Sequence, residues 1–136
     1  MYSPKQFRRA NAVLEAVLVL PILVGLAFGT VEFGHFFYIK HSLQGAARQG
    51  ARAAIPSSAT NADVANAVAS SMSLSGLQNS GYTITTNPPD ISTAADGANV
   101  SVTVQCTWGN VGVRALGVIR TDKCLRGAAV MRREGA

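Results

Sequence analysis

The sequence is poor in the residues from which reactive sites are built. Among 136 residues it has two cysteines, two histidines and seven acidic side chains. It contains no G-x-S-x-G elbow, no G-x-x-x-x-G-K-[ST] phosphate loop, no H-E-x-x-H zinc helix and no C-x-x-C pair. The step Glu32-x-x-His35 occurs once, whereas carboxylate-bridged di-iron bundles use it in pairs. His35 and His41 are six apart, so on a helix they project from different faces. These absences argue against an enzyme, and against a metal, a cofactor or a small-molecule substrate. No internal repeat or low-complexity tract stands out.

A strong electrostatic footprint is missing as well. Twelve basic and seven acidic residues give a net charge of +5. Three of the bases, Lys5, Arg8 and Arg9, lie at the extreme N-terminus; without them the balance is 9 − 7 = +2. No recognition motif or basic patch interleaved with aromatics is present, which excludes nucleic acid as a partner.

What the chain does have is one long oily run. From Val13 to Val31 the only charged residue is Glu15. Nineteen residues of helix span roughly 28 Å at 1.5 Å per residue, close to one bilayer core. No other segment is oily enough to enclose this run as a buried core helix. The basic residues before it, with no acid among them, predict a cytoplasmic N-terminus and an extracytoplasmic remainder. Pro21 interrupts the run and removes one backbone hydrogen bond, a place for a kink. Gly25 and Gly29 form a G-x-x-x-G spacing that permits close helix–helix approach; ordinary glycine content of a membrane helix is the plainer alternative.

The helix should continue past the bilayer, since the first stop signal is Ile55-Pro56. Lys40, Gln44, Arg48 and Arg52 recur every four residues as a polar stripe. Ile39, Leu43, Ala46, Ala47, Gly50 and Ala54 form an opposite face of mostly small apolar residues. The spacing predicts one helix over about 12–54, embedded first and amphipathic afterwards. Four of the five phenylalanines fall between 28 and 37 with Tyr38 beside them. Such a cluster suits the outer membrane–water interface, or packing against the rest of the fold.

A second helix follows, with capping-box spacing at Thr60 and Asp63 and an apolar line of Val64, Val68 and Met72 ending near Gly76. "YTITT" alternates as a strand and Asn87-Pro88-Pro89-Asp90 breaks it. In "NVSVTVQCTW", Val100, Val102, Val104, Cys106 and Trp108 face one way, which predicts an antiparallel sheet with one face covered. Residues 109–123 are glycine-dotted and ambiguous, with a helical turn or two allowed over Val113–Ile119. "CLRGAAVMRRE" returns as a final strand. The fold class is therefore α+β: a long N-terminal helix, then a small head of one further helix and about three antiparallel strands. The predicted division is a basic leader (1–10), a transmembrane and amphipathic helix (11–55) and an extracytoplasmic head (56–136). About 80 residues bury only a modest core alone, so the head should lean on the long helix. Outside the cytoplasm a Cys106–Cys124 disulfide is allowed and would add about 3 kcal/mol in the chain-entropy model; two independent buried thiols are the alternative.

Taken together, the stretch from Arg8 to about Ala54 resembles the TadE-like pseudopilins, minor pilin-like proteins of the tight-adherence (type IVc) pilus machinery. The resemblance rests on the basic leader, Glu15 opening "EAVLVLP", then "GTVEFGHFFY" and "LQGAARQGARAA", with "MRRE" near the end. It implies a structural protein of pilus assembly and surface adhesion, held in the inner membrane by a single pass with its head outside. Its partners would be the membrane, other pilins and pseudopilins, the inner-membrane assembly platform and a prepilin peptidase. The family's processing pattern makes the glutamate the fifth mature residue, which places the cut between Ala10 and Asn11. Alanine here stands where glycine is usual before the cut.

Under that reading Glu15 acquires a partner. A lone acid at the centre of a membrane helix costs about 2.5–3.5 kcal/mol on insertion scales, and less near the interface. Pairing with the new amine of Asn11 on a neighbouring subunit would offset this cost and set register, a role to which Glu32 is a second candidate. The alternative is a headgroup-level acid favoured by the helix dipole. Two other functions stay open: a membrane-anchored binding protein unrelated to pili, and a secreted protein cut after Ala27-Phe28-Gly29. A mature protein beginning at Asn11, Met1 or Thr30 would separate the three.

Overall fold

The computed structural model describes the backbone of residues 4–134, together with the side chains of residue 11 and of residues 13–134. Helix α1 runs unbroken from Pro4 to Ala53, with Pro21 inside it. It starts about eight residues ahead of the sequence expectation. Proline suits the first turn of a helix, where its missing N–H would have no partner, and nothing between it and Val13 breaks a helix. At the other end Ala54 still donates to Gly50 O at 3.2 Å before Pro56 stops the helix.

Helix α2 (Asn61–Leu74) begins as its sequence requires. The Thr60 side chain accepts from the Asp63 N–H while Asp63 accepts from the Thr60 N–H, a complete capping box. Val64, Val68 and Met72 are its buried line. Gly76, at φ 67°, reverses the chain, and the Leu77 N–H returns to Met72 O at 2.8 Å.

Three strands follow: β1 (Thr83–Asn87), β2 (Asn99–Thr107) and β3 (Cys124–Arg132). They form one antiparallel sheet in the order β1-β2-β3, with Thr85 opposite Thr103 and Thr103 opposite Ala128. Val100, Val102, Val104 and Cys106 are buried on one face, and Trp108 continues that row into α3 (Trp108–Val111). Each fully buried aliphatic side chain contributes about 1.5–3 kcal/mol. The sheet face, α2 and the second half of α1 enclose one core, to which α1 gives Ile39, Leu43, Ala46, Ala47 and Ala51, with Ala54 just past its end.

Glycines set the closest approaches. At Gly50 an added Cβ would lie 2.7 Å from Val68 Cγ2 and 3.1 Å from Val102 Cγ1, so α1, α2 and β2 meet there without room for a side chain. At Gly127 it would lie 2.4 Å from Gln44 N and from Leu43 C, so β3 touches the α1 backbone itself. Beside that contact Gln44 Nε2 donates to Ala128 O at 2.6 Å and the Ala128 N–H donates to Gln44 Oε1 at 3.3 Å. One carboxamide thereby occupies part of the outer edge of β3, which would otherwise present unpaired strand groups.

Two sequence expectations need correction. Val113–Ile119 forms no helical turn; it is a loop whose N–H groups are drawn to a side chain on α1. The cysteines form no bridge; both are free thiols, Cys106 buried and Cys124 exposed. Cys106 pairs with Leu125 and Cys124 with Thr107 across the ladder. Adjacent positions on a strand point to opposite faces, so Cys106 faces the core with the valines, while Cys124 lies on the outer face near Gln105.

Candidate functional site

Among the described residues, the apolar side chains of the first half of α1 are left bare. Leu14, Val17, Leu18 and Leu20 are each more than 60% exposed, and Ile22, Leu23 and Leu26 are similar. The most apolar window of the helix has a mean hydropathy of 2.2 and buries nothing. The described part of α1 is long and apolar enough to cross a membrane. Leaving this much apolar surface in water would forfeit about 25 cal/mol per Å², so hydrocarbon or another protein must cover it.

Within this stretch the side chain of Glu15 is exposed, as is that of Asn11. The side chain of Ala10 lies outside what the structure describes. Gly25 and Gly29 line a shallow groove with Leu26, Thr30, Phe33 and Gly34. The two glycines are not equivalent. A Cβ at Gly25 would meet nothing within 4 Å, whereas one at Gly29 would lie 3.7 Å from Leu116 Cδ1. Gly25 is thus open to a neighbouring helix, and Gly29 already receives a residue of the head.

Burial starts at Glu32, the first of the described side chains of α1 that is fully enclosed. Its Oε2 accepts from the Leu116 N–H at 2.9 Å and from the Gly117 N–H at 3.0 Å; its Oε1 accepts from the Ile119 N–H at 2.9 Å. Gly117 has φ 67°, a left-handed conformation that side chains disfavour and that helps turn successive N–H groups toward one anion. Charge-assisted bonds of this kind are the stronger class. This corrects the register role considered for Glu32: its carboxylate is spent inside the chain, with no surface left for a neighbouring subunit.

One turn further, His35 Nε2 donates to Val111 O at 2.9 Å, which fixes the proton on that nitrogen. Its ring lies 5.9 Å from that of Trp108, and Phe36 packs edge-on to Trp108 at 5.6 Å. The Glu32-x-x-His35 step therefore fastens the segment 111–119 to α1. Phe28, Phe33, Phe37 and Tyr38 remain about half exposed around it, and the Tyr38 hydroxyl donates to Ser75 O at 2.9 Å.

The C-terminal end is fastened too. Arg133 is 4% exposed, and its guanidinium donates to Ile91 O and Ala94 O at 2.6 Å each, and to Ser57 O. The Glu134 N–H donates to Ile55 O at 2.9 Å. Sequence reasoning passed over Arg133, Gln44 and the target of Glu32. For Glu32 a signal exists: its helical neighbours at three and four residues, Phe28, Gly29, His35 and Phe36, include no lysine or arginine, so the acid must find donors elsewhere.

Residues 11–52 match the family model described as TadE-like protein. The similarity covers the long helix and stops short of the head. The TadE-like segment ends one residue before α1 does, and it takes in both the uncovered apolar half and the half that packs on the head. This family is pilus-associated and structural, with an N-terminal membrane-spanning helix. No curated protein and no solved structure matches the chain.

Proposed function

We propose that this protein is a structural pseudopilin or minor pilin, anchored in the inner membrane by the TadE-like helix and taking part in assembly of a tight-adherence pilus. The observation that carries the reading is the division of α1 into two halves inside the family match: apolar and uncovered before Glu32, packed on the α+β head after it. A helix of this kind serves a bilayer and then a bundle of like helices, both of which satisfy an apolar face that the chain leaves bare.

In this proposal the N-terminus is cytoplasmic and the head extracytoplasmic, and a prepilin peptidase cuts between Ala10 and Asn11. Glu15, four residues along and exposed, then meets the new amine of Asn11 on a neighbouring pilin or pseudopilin. Gly25 offers the close helix contact. N-terminal sequencing of the mature protein tests the processing step, with Asn11 as the first residue. A mature chain starting at Thr30 would refute the anchor altogether. Glu15→Gln should reduce pilus assembly and co-purification with other pilins; unchanged assembly would remove Glu15 from the mechanism.

A further inference from the structure

We infer that the loop from Val113 to Ile119 is a second membrane contact, a wedge that enters the outer edge of the bilayer beside α1. The inference rests on the membrane-spanning reading of α1 and adds a surface of the head to it.

Four observations place the loop there. Leu116 lies against Gly29, within the last turn of the apolar run that ends at Val31. Two residues of helix correspond to about 3 Å, so Leu116 sits just inside the hydrocarbon edge if that run spans the core. Apart from Arg114 the loop is apolar, and three of its side chains are partly bare: Val113, Leu116 and Val118 are 43%, 47% and 60% exposed. On α1, Phe28 and Val31 to either side of Gly29 in the sequence are bare as well, 48% and 54% exposed. Finally, the loop is chemically prepared for low dielectric. Irregular backbone is excluded from hydrocarbon because its N–H groups go unsatisfied, yet three of its donors, on Leu116, Gly117 and Ile119, end on the Glu32 carboxylate.

The charges nearby agree. Arg114, inside the loop, is exposed; Arg120, just past it, is exposed too but paired with the Asp122 carboxylate at 2.7 Å. Long basic side chains at this depth reach the headgroups while their stems stay in apolar surroundings, and anionic lipid would favour them. Glu32 thus latches a membrane-facing loop to the helix at the level where the helix leaves the bilayer.

The test uses the full chain, with Cys106→Val and Cys124→Ser, reconstituted in vesicles of phosphatidylcholine and phosphatidylglycerol. Single nitroxide labels are placed through Leu116→Cys, Val118→Cys, Leu18→Cys and Val130→Cys, all exposed positions, and collisions with oxygen and with a water-soluble nickel chelate are compared. The wedge requires the oxygen-to-nickel ratio at 116 and 118 to exceed unity, as at 18 in the apolar run, and to fall below it at 130 on the outer sheet face. A ratio below unity at 116 and 118, with 18 still lipid-like, overturns the wedge and leaves the anchor standing. An aqueous reading at 18 overturns both. Low access to both reagents at 116 and 118 would mean that a second protein copy covers the loop, which also overturns the lipid assignment.

Discussion

Substituting Gly127 by alanine tests the central claim of the fold, that the head is built directly on the α1 backbone. The new Cβ would stand 2.4 Å from Gln44 N and Leu43 C and 2.6 Å from Gln44 Cα. None of these is a side-chain atom that can rotate away. Reaching an ordinary contact of 3.4 Å requires β3 and α1 to part by 3.4 − 2.4 = 1.0 Å at this point. Overpacking of this kind costs about 1–3 kcal/mol. The same displacement stretches the two Gln44–Ala128 hydrogen bonds, of 2.6 and 3.3 Å, which together contribute about 1–3 kcal/mol. The combined loss is about 2–6 kcal/mol, a large part of the roughly 5–15 kcal/mol that holds an ordinary domain. Urea unfolding of the full chain in detergent micelles, followed through the fluorescence of the buried Trp108, reads it as a midpoint lowered by about 1 M or more. Gly45→Ala is the control, since a Cβ there meets nothing within 4 Å and alanine improves helix propensity by up to about 1 kcal/mol. A Gly127→Ala protein within about 0.5 kcal/mol of the parent would refute backbone contact between β3 and α1.

Three further outcomes follow from particular contacts. Arg133→Ala abandons the carbonyls of Ser57, Ile91 and Ala94 and should cost about 2–5 kcal/mol in the same unfolding assay; a change below about 1 kcal/mol would show that the guanidinium is not enclosed. The cysteines should alkylate separately, Cys124 at once and Cys106 only on unfolding, because burial, and then the proximity of Cys124, hold the Cys106 thiol above its usual range; a protein with no titratable thiol would restore the disulfide. Asp63 and Asp90 are both held below the ordinary value of 3.8, first by side-chain hydrogen bonds from Thr60 and Ser92 and then by the backbone N–H groups of the same residues. A depressed carboxyl contributes stability above its unfolded value, and that contribution is lost as pH falls through the folded one. Melting temperature should therefore fall as pH drops below about 4, and Asp63→Asn with Asp90→Asn should flatten that part of the profile.

Where the chain's own periodicity carried the information, the sequence was enough. The α2 cap and its buried line at Val64, Val68 and Met72, the alternating row of β2 and the small-residue face of α1 are local patterns, set by 3.6-residue and two-residue repeats. They determined the element types, the α+β class and the apolar helix that the family match independently covers. Partners distant along the chain were decided by tertiary structure alone. Whether Cys106 and Cys124 could bond depended on the β2–β3 register, and a register of Cys106 with Leu125 put them on opposite faces. Whether Glu32 was free depended on a loop more than eighty residues away that surrendered its N–H groups to it, a choice that no helical repeat records. Glu15 and Glu32 look alike in the sequence, two acids at the edges of one oily run. Only folding distinguished them, because the head packs against the second half of α1 and leaves the first half bare.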